Sequence, residues 1–221
     1  MTADLNHLTQ RLIATEAGAV PWLWQPLLAL LAQGNPVSVE DLSAATGRSV
    51  ADVRQGLEGM PDTEYDADGR ILGHGLTLIP TAHRFEVAGR PMYTWCALDT
   101  LIFPTILGLA ARVQSPCRTT GELVRLNVDE SGVTGLEPEG AVVSLVDPQD
   151  LTSVRSAFCN QVHFFASTEA AQPWLKQHPG AAVLPRAYHV IDVIRYRGMT
   201  LASTGSVPPR ERAWRGASPG A

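Results

Sequence analysis

The sequence predicts an α+β protein: an N-terminal helical, winged-helix-like module packed on a larger domain with a mostly antiparallel sheet and flanking helices. Two consecutive helix starts, each a Ser with an Asp three residues on, lie either side of a Gly turn at Gly47. From about residue 81 the pattern changes to short β-type segments divided by Gly- and Pro-containing turns. Strand–helix alternation is absent, as are GxGxxG and P-loop motifs, so a parallel sheet and nucleotide binding have no support.

In chain order, residues 1–80 read as the module. Leu27, Leu28, Leu30 and Leu31 form an apolar face before the break at Gly34-Asn35-Pro36. Ser38 with Asp41 opens a helix from Val39 to Ala45, and Ser49 with Asp52 opens a second carrying Val50, Val53 and Leu57. Asp68-Gly69, between Tyr65 and Ile71-Leu72, is a hairpin turn that would form the wing. Such a shape often reads DNA, but Asp52 and Glu58 flank Arg54 on the second helix, and the wing adds Glu64, Asp66 and Asp68. A phosphate-facing surface needs clustered Lys and Arg, so the module is expected to pack, with no nucleic acid as partner.

Residues 81–202 form the expected α+β domain. His83 to Val87 and Pro91 to Trp95 flank Ala88-Gly89-Arg90 as a hairpin, and Leu123 to Val128 and Ala141 to Val146 are further strands. Helices are expected after Trp95, around Gln149 to Ala157, and around Glu169 to Gln177, the last capped by Ser167 or Thr168. Residues 203–221 are rich in Gly, Pro, Ser and Arg and read as a mobile tail.

The 221 residues, 45% hydrophobic and 18% charged with a net charge of −5, draw the chain neither to nucleic acid nor to an anionic membrane. The N-terminus lacks a signal peptide's basic start and apolar run, and no stretch approaches a membrane span. The expectation is a soluble cytoplasmic protein. Three cysteines, an odd number with no CxxC pair, fit a reducing compartment.

Chemistry concentrates around two of them. Cys96, in Trp95-Cys96-Ala97-Leu98-Asp99, lies where a β-type run gives way to a helical apolar pattern. The unpaired N–H groups of a helix start favour negative charge there. Asp99 faces the same side one turn on, either as a capping acid or as a functional one; the pattern leaves both open. Cys159 lies where a helical segment meets the apolar strand Val162 to Ala166. His163, four residues later, has a spacing that occurs among zinc ligands, but a lone His in an apolar strand is more often a satisfied core residue. Sixty-three residues separate the two cysteines, so only the fold can bring them together.

The blocks WCALDTLIFP and FCNQVHFFAS resemble those of the alkylmercury lyase (organomercurial lyase, MerB) family. Weaker blocks are Thr63 to Asp66, Gly75 to Leu78 and Ala141 to Val146, and the likeness runs from about residue 20 to about 180. The resemblance implies Cys96 and Cys159 as the mercury-binding catalytic cysteines, Asp99 as the catalytic acid beside bound Hg²⁺, and Cys117 as a structural cysteine. Some members carry a further cysteine where this chain has Asn160. It further implies protonolysis of R–Hg⁺ to R–H and Hg²⁺ for mercury detoxification, with no organic cofactor. Free low-molecular-weight cytosolic thiols would be co-substrates, and a mercuric reductase would receive the Hg²⁺. Thiolates are the ligands a soft metal prefers, and the departing carbon must be protonated as its bond breaks, which is a general acid's task. Trp95 would wall the organic group or serve as core. The rival readings are a non-catalytic soft-metal-binding or metal-sensing winged-helix protein, and a thiol enzyme using Cys96 on carbon.

Overall fold

A computed structural model describes residues 20–147 and 153–185. The tail expected at 203–221 and the first residues of the helix expected at 149–157 lie outside them.

Helix α1 (Pro21–Leu31) buries Leu23, Trp24, Leu27, Leu28 and Leu31, one stripe at helical spacing. Leu30, expected on that face, is half-buried at its edge. The next two helices, α2 (Val39–Thr46) and α3 (Val50–Glu58), begin in full capping boxes. Ser38 accepts the Asp41 N–H, Ser49 accepts the Asp52 N–H, and each Asp returns a bond to its cap's backbone. Gly47 ends α2 with φ 67°, a left-handed conformation that suits glycine. The turn between α2 and α3 and the hairpin β1 (Glu64–Tyr65) and β2 (Ile71–His74) match the expected module and wing.

The hairpin does not stop at the module. β2 pairs β3 (Leu76–Thr77), β3 pairs β5 (Arg90–Thr94), and β5 pairs β4 (His83–Val87). Beyond β4 come β6 (Ala111–Pro116), β7 (Leu123–Asp129) and β8 (Gly132–Glu137). The result is one antiparallel eight-stranded sheet in the order β1-β2-β3-β5-β4-β6-β7-β8. Ala88 and Gly89 turn β4 into β5 with φ 51° and 75°, the positive pair of a two-residue type I′ turn. Strands β6 and β8 were not among the expected ones. In β6 the buried residues are Ala111, Val113 and Ser115, an alternation diluted by a small and a polar residue.

Helix α4 (Ala97–Leu107) lies between α1 and the sheet, touching β4, β5, β6 and β7. Its residues from Ala97 to Pro104 are all buried. A helix apolar on every side belongs inside, and each Leu, Ile or Phe so buried contributes about 1.5–3 kcal/mol. Gly75, at φ 79° between β2 and β3, is the close-approach point: an added Cβ would lie 2.7 Å from the Phe103 ring.

A second, three-stranded sheet, β10-β9-β11, consists of β9 (Val142–Leu145) between β10 (Phe164–Phe165) and β11 (Ala182–Pro185). Between β9 and β10 lie the short helix α5 (Val154–Ala157) and a 3₁₀ turn over Cys159–Gln161. Helix α6 (Thr168–Gln177), capped by Ser167, packs on this sheet around Phe165, Ala171 and Trp174. The strand expected from Val162 to Ala166 pairs only at Phe164 and Phe165. Among the described residues no helix is long and apolar enough to cross a membrane.

Candidate active site

Cys96, two residues beyond the end of β5, is the residue from which α4 begins, with the extended backbone of an N-cap (φ −142°, ψ 171°). It repeats the capping boxes of α2 and α3 with sulfur where they have a serine hydroxyl. Asp99 accepts the Cys96 N–H at 3.0 Å, so the capping role anticipated for it is real. Capping does not exhaust what Asp99 does. Asp41 and Asp52, exposed in the equivalent positions, are held below the usual carboxylate range by their serine partners. Asp99 is 3% exposed, and burial first, then its electrostatic interaction with the adjacent Cys96, pushes it well above that range. One local motif thus gives opposite electrostatics, because α4 is buried where α2 and α3 are wet. Burial therefore favours the protonated form of this carboxyl.

Cys159 arrives on the 3₁₀ turn between buried Phe158 and Val162. The turn closes with bonds from Gln161 N–H to the Phe158 carbonyl (2.8 Å) and from Val162 N–H to the Cys159 carbonyl (3.1 Å). The Val162 carbonyl then accepts the Ala97 N–H at 3.2 Å, joining this segment to the first residue of α4. That bond sets Cys159 beside Cys96. A sulfur of each cysteine and a carboxylate oxygen of Asp99 lie within 4.8 Å of one another, all buried. None of the three cysteines is in a disulfide.

The other candidates fall elsewhere. The His163 ring stands edge-on to Trp174, 6.1 Å away; burial, then Arg118 and His178, lowers its pKa to about 4. It is not in the donor group, so the zinc-ligand spacing noted for it does not place it with Cys96 and Cys159 in one set among the described residues. Cys117 is also outside the group, in the core under α6. Burial pushes its thiol up, but hydrogen bonds from Thr119, Thr120 and the Ala166 backbone outweigh this and lower its pKa to about 7. Trp95 is 6% exposed, with the Arg155 guanidinium 4.8 Å above its ring and the His74 ring 5.2 Å away.

Sequence reasoning missed the groups around Trp95. Arg155 pairs with Glu64, Glu64 also accepts the Thr77 hydroxyl, and Thr63 bonds His74 at 3.1 Å. Thr63 and Glu64 stood in a block already singled out, but Arg155 carried no signal within its helical segment. A buried pair, Ser115 and His83 at 2.8 Å, was missed too. Its two members are 32 residues apart and belong to no motif.

Two cysteine sulfurs and a carboxyl converging in a buried site are the donor set of one class of protein, that which can hold a soft metal between sulfurs with an acid beside it. Comparison with known proteins narrows the class. The family model described as alkylmercury lyase matches residues 76–191, and that described as the helix-turn-helix domain of alkylmercury lyase matches residues 4–75. The chain is 56% identical to the alkylmercury lyase of Streptomyces lividans, covering 87% of this chain and 89% of that protein. It is 53% identical to that of Staphylococcus epidermidis, covering 81% and 83%. The crystal structure of the mercury-bound form of MerB2 shares the fold, with TM-score 0.68 at 22% identity over 87% of this chain and 95% of that one. The chain belongs to the alkylmercury lyase family. It is an enzyme that cleaves carbon–mercury bonds, which sets aside the sensor reading.

Proposed function

We propose that Cys96, Asp99 and Cys159 perform this cleavage together. The observation that carries the assignment is their convergence: two cysteine sulfurs and the oxygen of a carboxyl whose pKa burial raises, all buried and within 4.8 Å of one another. Substrate arrives as R–Hg–SR′ on a small thiol. One cysteine thiol gives its proton to the departing R′S⁻, releasing R′SH as its sulfur takes the metal, and the second sulfur adds to the metal and loads electron density onto carbon. The carbon–mercury bond breaks as its electron pair takes the Asp99 proton, and R–H leaves. The second cysteine's thiol proton restores Asp99, so Hg²⁺ remains bridged by two thiolates with the acid reset. Two external thiols then extract the metal as R′S–Hg–SR′ and return both cysteines to thiols.

Free thiols are therefore co-substrates and Hg²⁺ is a product. This chemistry suits a reducing, cytoplasmic setting and a following reaction that reduces Hg²⁺, the work of a mercuric reductase. We assign the chemistry to the unit from residue 81 onward and a packing role to the helices before it. In the test, phenylmercury and excess thiol release benzene with wild-type protein, whereas Cys159→Ser gives none because one thiolate cannot both hold and activate the metal. Full turnover by that variant would sink the two-cysteine mechanism.

A further inference from the structure

We propose that Asp62, on the segment following α3, is a positioning residue for Cys159. The proposal rests on the catalytic reading of Cys159 given above. Helix α5 has four residues, too few to hold its own shape in water. What starts it is Ser153, whose Oγ accepts the Ser156 N–H at 3.2 Å. A hydroxyl has one proton to give, and where that proton points decides whether lone pairs face the helix. Here Asp62 Oδ1 accepts it at 2.8 Å. The other carboxylate oxygen accepts the Arg155 N–H at 3.2 Å. Asp62 thus orients the cap and satisfies a first-turn donor itself.

From that cap an unbroken series of backbone bonds runs to the active cysteine. Ala157 N–H donates to the Ser153 carbonyl (3.0 Å) and Phe158 N–H to that of Val154 (2.9 Å), and the turn at Cys159 follows immediately. Cys159 therefore has two anchors. Downstream, Val162 is tied to Ala97 beside Cys96. Upstream, the anchor is Asp62, and Glu64 repeats the linkage two residues on by pairing with Arg155. Removing the Asp62 carboxylate releases the upstream end and leaves Cys96, Asp99 and their capping box in place.

The test uses the full-length protein with Asp62→Ala and Asp62→Asn. It reads kcat and KM for phenylmercury with excess thiol, and the iodoacetamide alkylation rate of each cysteine by peptide mass spectrometry. Alkylation of a buried thiol reports local opening. In Asp62→Ala, Cys159 alkylation is expected to rise about tenfold with Cys96 unchanged. The kcat should fall about tenfold or more, since small misplacements at a reacting centre are costly. Asp62→Asn, which keeps one acceptor oxygen, restores most of both. If Asp62→Ala does not fold, Ser153→Ala breaks the same bond from the other side and should show the same selectivity. Wild-type kcat and Cys159 reactivity, or equal acceleration at both cysteines, would overturn the proposal. Cys159→Ser, assayed alongside, separates the two ideas. Normal turnover there defeats the catalytic reading of Cys159, while alkylation still reports whether Asp62 holds it.

Discussion

Asp99 is where two roles of one side chain can be separated experimentally. Asn caps helices about as well as Asp, so Asp99→Asn retains the bond to the Cys96 N–H and loses only the acid. Cleavage should fall roughly 10²–10⁴-fold, the usual contribution of a general acid, while Hg²⁺ retention persists because both sulfurs remain. Hydrocarbon formed per minute and mercury held per protein are measured on the same samples; near-normal cleavage would return Asp99 to capping alone. Stability gives a second, independent signature. The folded Asp99 pKa lies above its ordinary 3.8, so the native state binds a proton that the unfolded chain releases. Stability is therefore lost as pH rises from 3.8 through the raised folded value, by about 1.4 kcal/mol per unit of separation. Urea unfolding should show Asp99→Asn gaining on wild type across that window, with no gain below it.

At the scale of elements, α4 and the 3₁₀ turn carry the site, and both were partly legible beforehand. The helix start at Cys96 followed from the end of the β-type run and from Asp99 three residues on. That α4 would be buried on every side followed less readily, since WCALDTLIFP breaks no amphipathic rule until its neighbours α1 and the sheet are in place. The strand β6 and the edge strand β8 were illegible for a related reason: half their residues face water and the remainder include small or polar ones. Cys117 sits in the connection between β6 and β7. Its N–H donates to the Glu122 carbonyl, and the neighbouring Arg118 N–H donates to Phe164 of β10, so this link ties the two sheets together. We expect Cys117→Ala to lower unfolding free energy by about 1 kcal/mol, as small buried residues do, with cleavage per folded molecule unchanged. A folded but inactive Cys117→Ala protein would assign that thiol to the reaction instead.

For the molecule as a whole, His83 and His163 oppose Asp99 in the pH dependence of stability. Burial, then the nearby His163, lowers His83 to about 3 from its ordinary 6.5. Its stability contribution is present above 6.5 and is lost as pH falls from 6.5 toward 3. Between pH 6.5 and 4.5 this amounts to roughly 2 kcal/mol, and His163, lowered to about 4, acts with the same sign. His83→Asn can keep a partner for Ser115 in place of Nδ1 while removing the titration, so its denaturant midpoint should vary less across that range. An unchanged pH profile would mean that His83 ionises freely. The sequence alone determined the capped helices, the hairpin turns, the fold class and, through two ten-residue blocks, the candidate residues Cys96, Asp99 and Cys159. Each of those signals is local: caps, turns and blocks are read within a few residues along the chain. Tertiary structure alone decided that sulfurs 63 residues apart lie together, that the Asp99 carboxyl is pushed above the usual range while those of Asp41 and Asp52 fall below it, and that Asp62 reaches the cap of α5. Convergence, desolvation and long-range hydrogen bonding depend on what the fold packs around a residue, and no spacing along the chain encodes that.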